Sequence, residues 1–255
     1  MHVKELEKGL RSPKWSTVQH APSVRRLGEY LTNQATLLLF EDSPKGWAVF
    51  VEGLEYLYWS LRVSQSEFVG VAVSTYVNLM LTGQVERADW LLRRMVADAQ
   101  EPADGWHFRW VWSPFSQLVT KLGARLGRCD EPQFADEIAS EFVSPFMDVL
   151  EAWPDAAATA AALKKVCAHH VRFARSSDDH DFQRPLYAQV CPLEVHFVNH
   201  CRREAGLDEV AVKHALLDTP FGKPPPAGID VPDLCKPVAD LVQRARDEGL
   251  IDEDD

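Results

Sequence analysis

Apolar residues return at helical spacing along most of this chain. From Trp47 to Arg62, the positions Trp47, Phe50, Val51, Leu54, Leu57, Tyr58 and Leu61 keep the i, i+3, i+4 pattern without a miss, and Glu52, Glu55 and Arg62 fall elsewhere. Ser64 and Glu67 then form a capping-box pattern that opens a second helix through Leu81, apolar nearly all round and closed by Gly83. The two-residue connection makes these helices, 47–62 and 65–81, the expected central antiparallel pair. Residues 85–99 repeat the amphipathic pattern, with Asp89 and Arg93 an i,i+4 pair on the polar side.

Further helices are expected over Ser23 to Phe40, ended by the Ser43-Pro44-Lys45-Gly46 turn, and from Pro114 to the stop at Gly127. Residues 132–152 read as helical with a break at Pro145, and Asp155 caps an alanine-rich helix reaching about Arg175. Pro192 begins another helix ended by Gly206, and the last runs from Pro237 to Glu248. Prolines 220, 224, 225, 226 and 232 make 218–233 a loop or linker. The expectation is an all-α fold of about eight or nine helices, either a bundle or stacked helical hairpins. One domain over 23–249 is the default, two compact sub-domains being the alternative, with a poorly ordered or loosely packed segment 1–22 and an acidic disordered tail 250–255.

Composition supports a globular chain: 255 residues, 46% hydrophobic and 25% charged. A domain of that size buries about 70–75% of its unfolded surface and needs no disulfide or metal to fold. No run of 18 apolar residues marks a membrane span, and the acidic start Met1-His2-Val3-Lys4-Glu5 does not resemble a signal peptide. Five cysteines without a C-x-x-C pair suggest free thiols in a reducing cytoplasm.

Charge is unevenly spread. Residues 1–127 hold 14 Lys/Arg against 13 Asp/Glu, whereas residues 128–255 hold 13 against 25. So acidic a half repels phosphate backbones, which argues against nucleic acid as a ligand, and attracts basic protein partners. Solubility alone also accounts for such acidity.

Candidate chemistry is sparse. His196 and His200 have zinc-ligand spacing, with Glu194 nearby, but the adjacent glutamate of H-E-x-x-H is missing and Arg203 shares their stripe. That stripe reads as a polar surface or inter-helix face, and no metal or other cofactor is expected. His169 lies on the polar side of its helix with Lys165 and Arg172; His170 lies with Val166, Cys167 and Phe173 and reads as half-buried and hydrogen-bonded. Cys129, Cys167, Cys191, Cys201 and Cys235 lack any nucleophile fingerprint, and nucleotide-loop and G-x-S-x-G motifs are absent. The aromatic run from Trp106 to Phe115 is either a core plug or a binding surface, the core being favoured because exposed rings reduce solubility.

A family resemblance lies in the C-terminal third. Residues 185–207 run Pro-Leu-Tyr-Ala-Gln-Val-Cys-Pro-Leu-Glu and then a helix ending Cys-Arg-Arg-Glu-Ala-Gly-Leu. His214-Ala215-Leu216-Leu217-Asp218-Thr219-Pro220-Phe221-Gly222 follows, and Leu-Thr-Gly-Gln-Val-Glu-Arg-Ala stands earlier at 81–88. This pattern, over about half the chain, resembles the all-helical immunity proteins of bacterial polymorphic toxin systems, immunity family forty-nine in particular. The resemblance implies a non-catalytic cytoplasmic antidote that binds a cognate toxin, and carries over no individual residue. Joined to the charge split, it nominates Asp178, Asp179 and Asp181 in one loop, with Glu204, Asp208 and Glu209 at a helix end, as partner-binding acids. A helical-repeat adaptor is the alternative, and a metal- or thiol-dependent enzyme is the third reading.

Overall fold

The computed structural model describes residues 8–10, 16–64, 71–100, 114–131, 145–174, 186–226 and 228–251. They are helical, with no strand among the described residues, in keeping with an all-α bundle. Ten α-helices are numbered here in chain order: α1 Thr17–Phe40, α2 Gly46–Val63, α3 Val71–Leu81, α4 Val85–Gln100, α5 Pro114–Arg125, α6 Phe146–Glu151, α7 Ala156–Ala174, α8 Leu186–Val190, α9 Leu193–Glu204 and α10 Lys236–Asp247. Short 3-10 turns at Ala215–Asp218 and Pro220–Gly222 follow α9.

The chain forms two compact units, residues 1–68 with 229–255 and residues 69–228, where the sequence reading takes 23–249 as one domain. In the first unit, α1, α2 and α10 pack on one another among the described residues. Helix α1 starts at Thr17, not Ser23, because the Gln19 side chain accepts the Ser16 amide at 2.8 Å in a capping box. Leu10, Thr17, His20 and Ala21 are buried, so the segment read as loosely packed contributes to the core. At the other end Asp42 takes a left-handed φ of 53°, and the Ser43 amide reaches back to the Leu38 carbonyl at 2.9 Å.

Helix α2 pairs with α1, and of its expected partner 65–81 the described part, α3, belongs to the second unit, residues 65–70 lying outside the described residues. Glycines set this pairing: a Cβ on Gly28 would stand 2.8 Å from the Gly53 carbonyl oxygen, and one on Gly53 would stand 2.8 Å from the Thr32 amide nitrogen. Backbones this close leave no room for side chains at the crossing. With α1 on one side and α10 packed against it as well, α2 buries even Glu55 and Arg62. Glu55 accepts the Trp59 indole N–H at 2.6 Å, and the Arg246 guanidinium lies 5.6 Å from the Trp59 ring centroid. Tyr56 anchors α10, its hydroxyl accepting the Cys235 amide at 3.1 Å where that helix begins.

The second unit is built around α3, whose residues 71–80 are all buried. It packs on α4, α5 and α9, with Tyr76 edge-on to Phe197 at 5.8 Å. Helix α7 lies on α6, α8 and α9, and Asp155 caps it by accepting the Ala158 amide at 2.7 Å. Beyond Gly206, at φ 71°, the chain folds back on α9. There Asn199 clamps Val210 through both its backbone groups, and the buried Arg202 donates to the carbonyls of Trp153 and Asp208. These bonds hold the stretch after α9 without secondary structure of its own.

Candidate functional site

The end of α9 gathers the described partner-binding candidates. Glu204, Asp208 and Glu209 are exposed. Arg128, just beyond α5, reaches this end and donates to Glu204 at 2.5 Å (Nη2–Oε1) and 3.3 Å (Nε–Oε2), while its Nη1 holds Asp89 of α4 at 2.7 Å. Burial works against the Arg128 charge, and the two carboxylates more than offset it, holding its pKa above the ordinary value. Asp89 is therefore engaged by Arg128 across the unit, where the sequence reading joins it to Arg93 on its own helix. His200 approaches Glu204 at 3.4 Å, and Arg203 holds Glu209 at 2.8 Å. Two of the three acids nominated here thus already carry an arginine partner, and Asp208 lends its backbone carbonyl to Arg202. Asp178, Asp179 and Asp181 lie outside the described residues, as do Trp106 to Ser113 of the aromatic run, whereas Phe115 is buried.

A buried polar cluster lies at the other end of α9. His170 and Glu194 are each only 1% exposed. The His170 Nδ1 stands 2.9 and 3.1 Å from the two Glu194 carboxylate oxygens, and its Nε2 stands 3.2 Å from the Gln189 carbonyl. Burial alone would push the His170 pKa down, but the Glu194 charge, its hydrogen bond and the Gln189 carbonyl together hold it above the ordinary value. Burial, reinforced by Glu194, pushes the Cys167 thiol up to about 12 and Cys191 well above its usual range. Neither thiol is an activated nucleophile.

The His196–His200–Arg203 stripe does not stay on one surface. His196 is buried, its Nε2 2.7 Å from the Phe221 carbonyl, whereas Arg203 is exposed. Burial drives the pKa of both histidines down, against the opposing pull of the Phe221 carbonyl on His196 and of Glu204 on His200. Among the described residues, no group of three or more His, Cys, Asp or Glu side chains is placed to hold a metal ion.

Arg128 and the His170–Glu194 pair are the features that sequence reasoning missed. Both join residues far apart in the chain, and only the 3.6-residue face shared by His170 and Cys167 hinted at the burial of the histidine. No protein-family model, curated protein or solved structure matches the chain. No helix of the described residues is long and apolar enough to cross a membrane.

Proposed function

We propose that the chain is a non-catalytic antidote of the immunity type, which neutralises a toxin by holding a basic surface of it against acidic side chains. The observation that carries this reading is how α10 and its approach divide their residues. Val238, Leu241, Val242 and Ala245 are at most 3% exposed, and Asp230, Asp233, Asp240, Asp247 and Glu248 are all exposed. Residues 229–255 hold 3 Lys/Arg against 9 Asp/Glu, half of the acidic excess of the C-terminal half. What this face offers to a partner is charge, with its apolar side chains committed to the core. Asp208 is a further exposed acid, in the second unit, while Asp240, Glu204 and Glu209 contribute only if a partner competes with Lys236, Arg128 and Arg203. Close charge pairs across such interfaces couple by about 1.5–7 kcal/mol and speed association. The engaged nitrogens of His170 and the raised pKa values of the buried thiols support a binding role over a catalytic one.

Co-expression with the product of the neighbouring gene tests the proposal. Cells survive with the wild-type chain, and the triple reversal Asp208→Lys, Asp240→Lys, Asp247→Lys weakens protection and flattens its salt dependence. A neighbouring product that is neither toxic nor bound transfers the reading to a helical adaptor. Protection at substoichiometric amounts refutes a binding mechanism.

A further inference from the structure

Helix α1 presents two opposite faces. Val24, Leu27, Gly28, Ala35 and Leu39 are buried on one, the side of the α2 crossing. Arg26, Tyr30, Gln34, Leu37 and Glu41 are exposed on the other, at the three- and four-residue spacing of a single stripe. Glu41 still belongs to the last turn, its amide bonded to the Leu37 carbonyl at 3.1 Å. Tyr30 is 48% exposed and Leu37 59%, and with Phe40 they are three of the five large apolar side chains exposed among the described residues. Scattered singly, such residues need no explanation, but these share one helix. Among the described residues neither Arg26 nor Glu41 forms an ion pair, whereas Arg25 and Glu29 beside the stripe are joined at 3.7 Å.

We propose that this face of α1 pairs, antiparallel, with the same face of a second copy of the chain. The stripe is self-complementary about the midpoint between positions 33 and 34. Tyr30 and Leu37 are equidistant from that midpoint, and so are Arg26 and Glu41. A two-fold axis there sets Tyr30 against Leu37 of the second copy and Arg26 against its Glu41, and each contact occurs twice. Parallel pairing instead brings Arg26 onto Arg26 and Glu41 onto Glu41, so charge selects the antiparallel form. Arg26, Tyr30 and Gln34 form one i+4 ridge, Leu37 and Glu41 lie on the next, and such ridges interdigitate at a crossing of about −50°. The apolar pair falls at the centre and the opposite charges at the rim, the division found in protein interfaces. With one cation and one anion, the stripe offers no net charge to an anionic lipid surface. One helix face from each copy gives a contact at or below about 1,200 Å², which places the dimer among weak, reversible associations. The stripe uses none of the acids assigned above to a toxin, so the two readings stand or fall separately.

Sedimentation equilibrium of the full chain from about 10 µM to about 1 mM tests this. The average mass is expected to rise from the 28.8 kDa of one chain toward twice that value. Leu37→Asp puts a charge at the centre of the contact and weakens association at least about tenfold. Arg26→Glu and Glu41→Arg, each made alone, oppose like charges at both ends of the contact and weaken it about fivefold. The two reversals combined restore the wild-type constant to within about twofold, which only antiparallel pairing of these positions explains. All three positions are exposed, and urea midpoints equal to that of the wild type show that the variants fold. A mass that stays at 28.8 kDa throughout overturns the proposal, as does a dimer indifferent to Leu37→Asp or one that the double reversal does not rescue. A monomer that binds neutral phospholipid vesicles, and loses that binding with Leu37→Asp, also overturns it and assigns the face to a membrane.

Discussion

Burial acts on His196 and His170 in the same direction, and their partners decide the outcome. At His196 burial prevails and the ring is neutral in the folded chain, with Nε2 donating to the Phe221 carbonyl. A histidine with a lowered folded pKa takes up a proton more readily once unfolded. Stability is therefore unaffected above about pH 6.5 and is lost as pH falls from there through the folded value. His196→Gln retains a donor for Phe221 and lacks the proton linkage. Urea unfolding between about pH 7 and 5 is expected to show a shallower loss of stability for this variant than for the wild type. From sequence, His196 and His200 shared a helical stripe and were read alike. The spacing was right, but the depth depends on Phe221, which belongs to a turn that sequence periodicity does not place. Periodicity makes His170 half-buried and hydrogen-bonded; the bond is there, but the ring is fully buried, since Glu194 is a neighbour only in space.

Individual helices were legible where the apolar stripe is continuous. Residues 47–62 appear as Gly46–Val63, 85–99 as Val85–Gln100, and the Asp155-capped helix as Ala156–Ala174. Pairing was not legible in the same way. A short connector suggests that 47–62 folds onto 65–81, whereas the close approach of α1 and α2 is made at Gly28 and Gly53, residues with no side chain, which a hydrophobic stripe does not register. Gly53→Ala sets two effects against each other. Alanine improves helix propensity by about 1 kcal/mol, and a Cβ 2.8 Å from the Thr32 amide forces two backbones apart. Overpacking of that kind costs about 1–3 kcal/mol. Backbone atoms yield less readily than the end of a flexible side chain, so net destabilisation of about 1–2 kcal/mol is expected, read as a lower urea midpoint with an unchanged slope. A midpoint at or above that of the wild type shows that α1 and α2 separate at little cost.

The two units differ in how the chain supplies them. Residues 69–228 form one from a continuous stretch, and the other takes α1 and α2 from before that stretch and α10 from after it. Leu241 of α10 is 0% exposed, and truncating it leaves a cavity in that first unit. Leu241→Ala is expected to cost about 2–5 kcal/mol there. Hydrogen exchange should then quicken through α1 and α2 and remain as in the wild type through α3 and α9. Equal acceleration in both units shows that they unfold as one cooperative body.

The same discontinuity orders events during synthesis. Helices α1 and α2 leave the ribosome early with the face that receives α10 still uncovered, and about 170 residues must be added before Val238 and Leu241 arrive. At translation rates of about 5–20 residues per second, that face waits roughly 10–30 s, while the continuous unit has its whole sequence first. Chain assembly thus runs against the usual order from first to last. Within this unit the part made first is completed by the part made last, and for those seconds its apolar seam is a surface open to a chaperone.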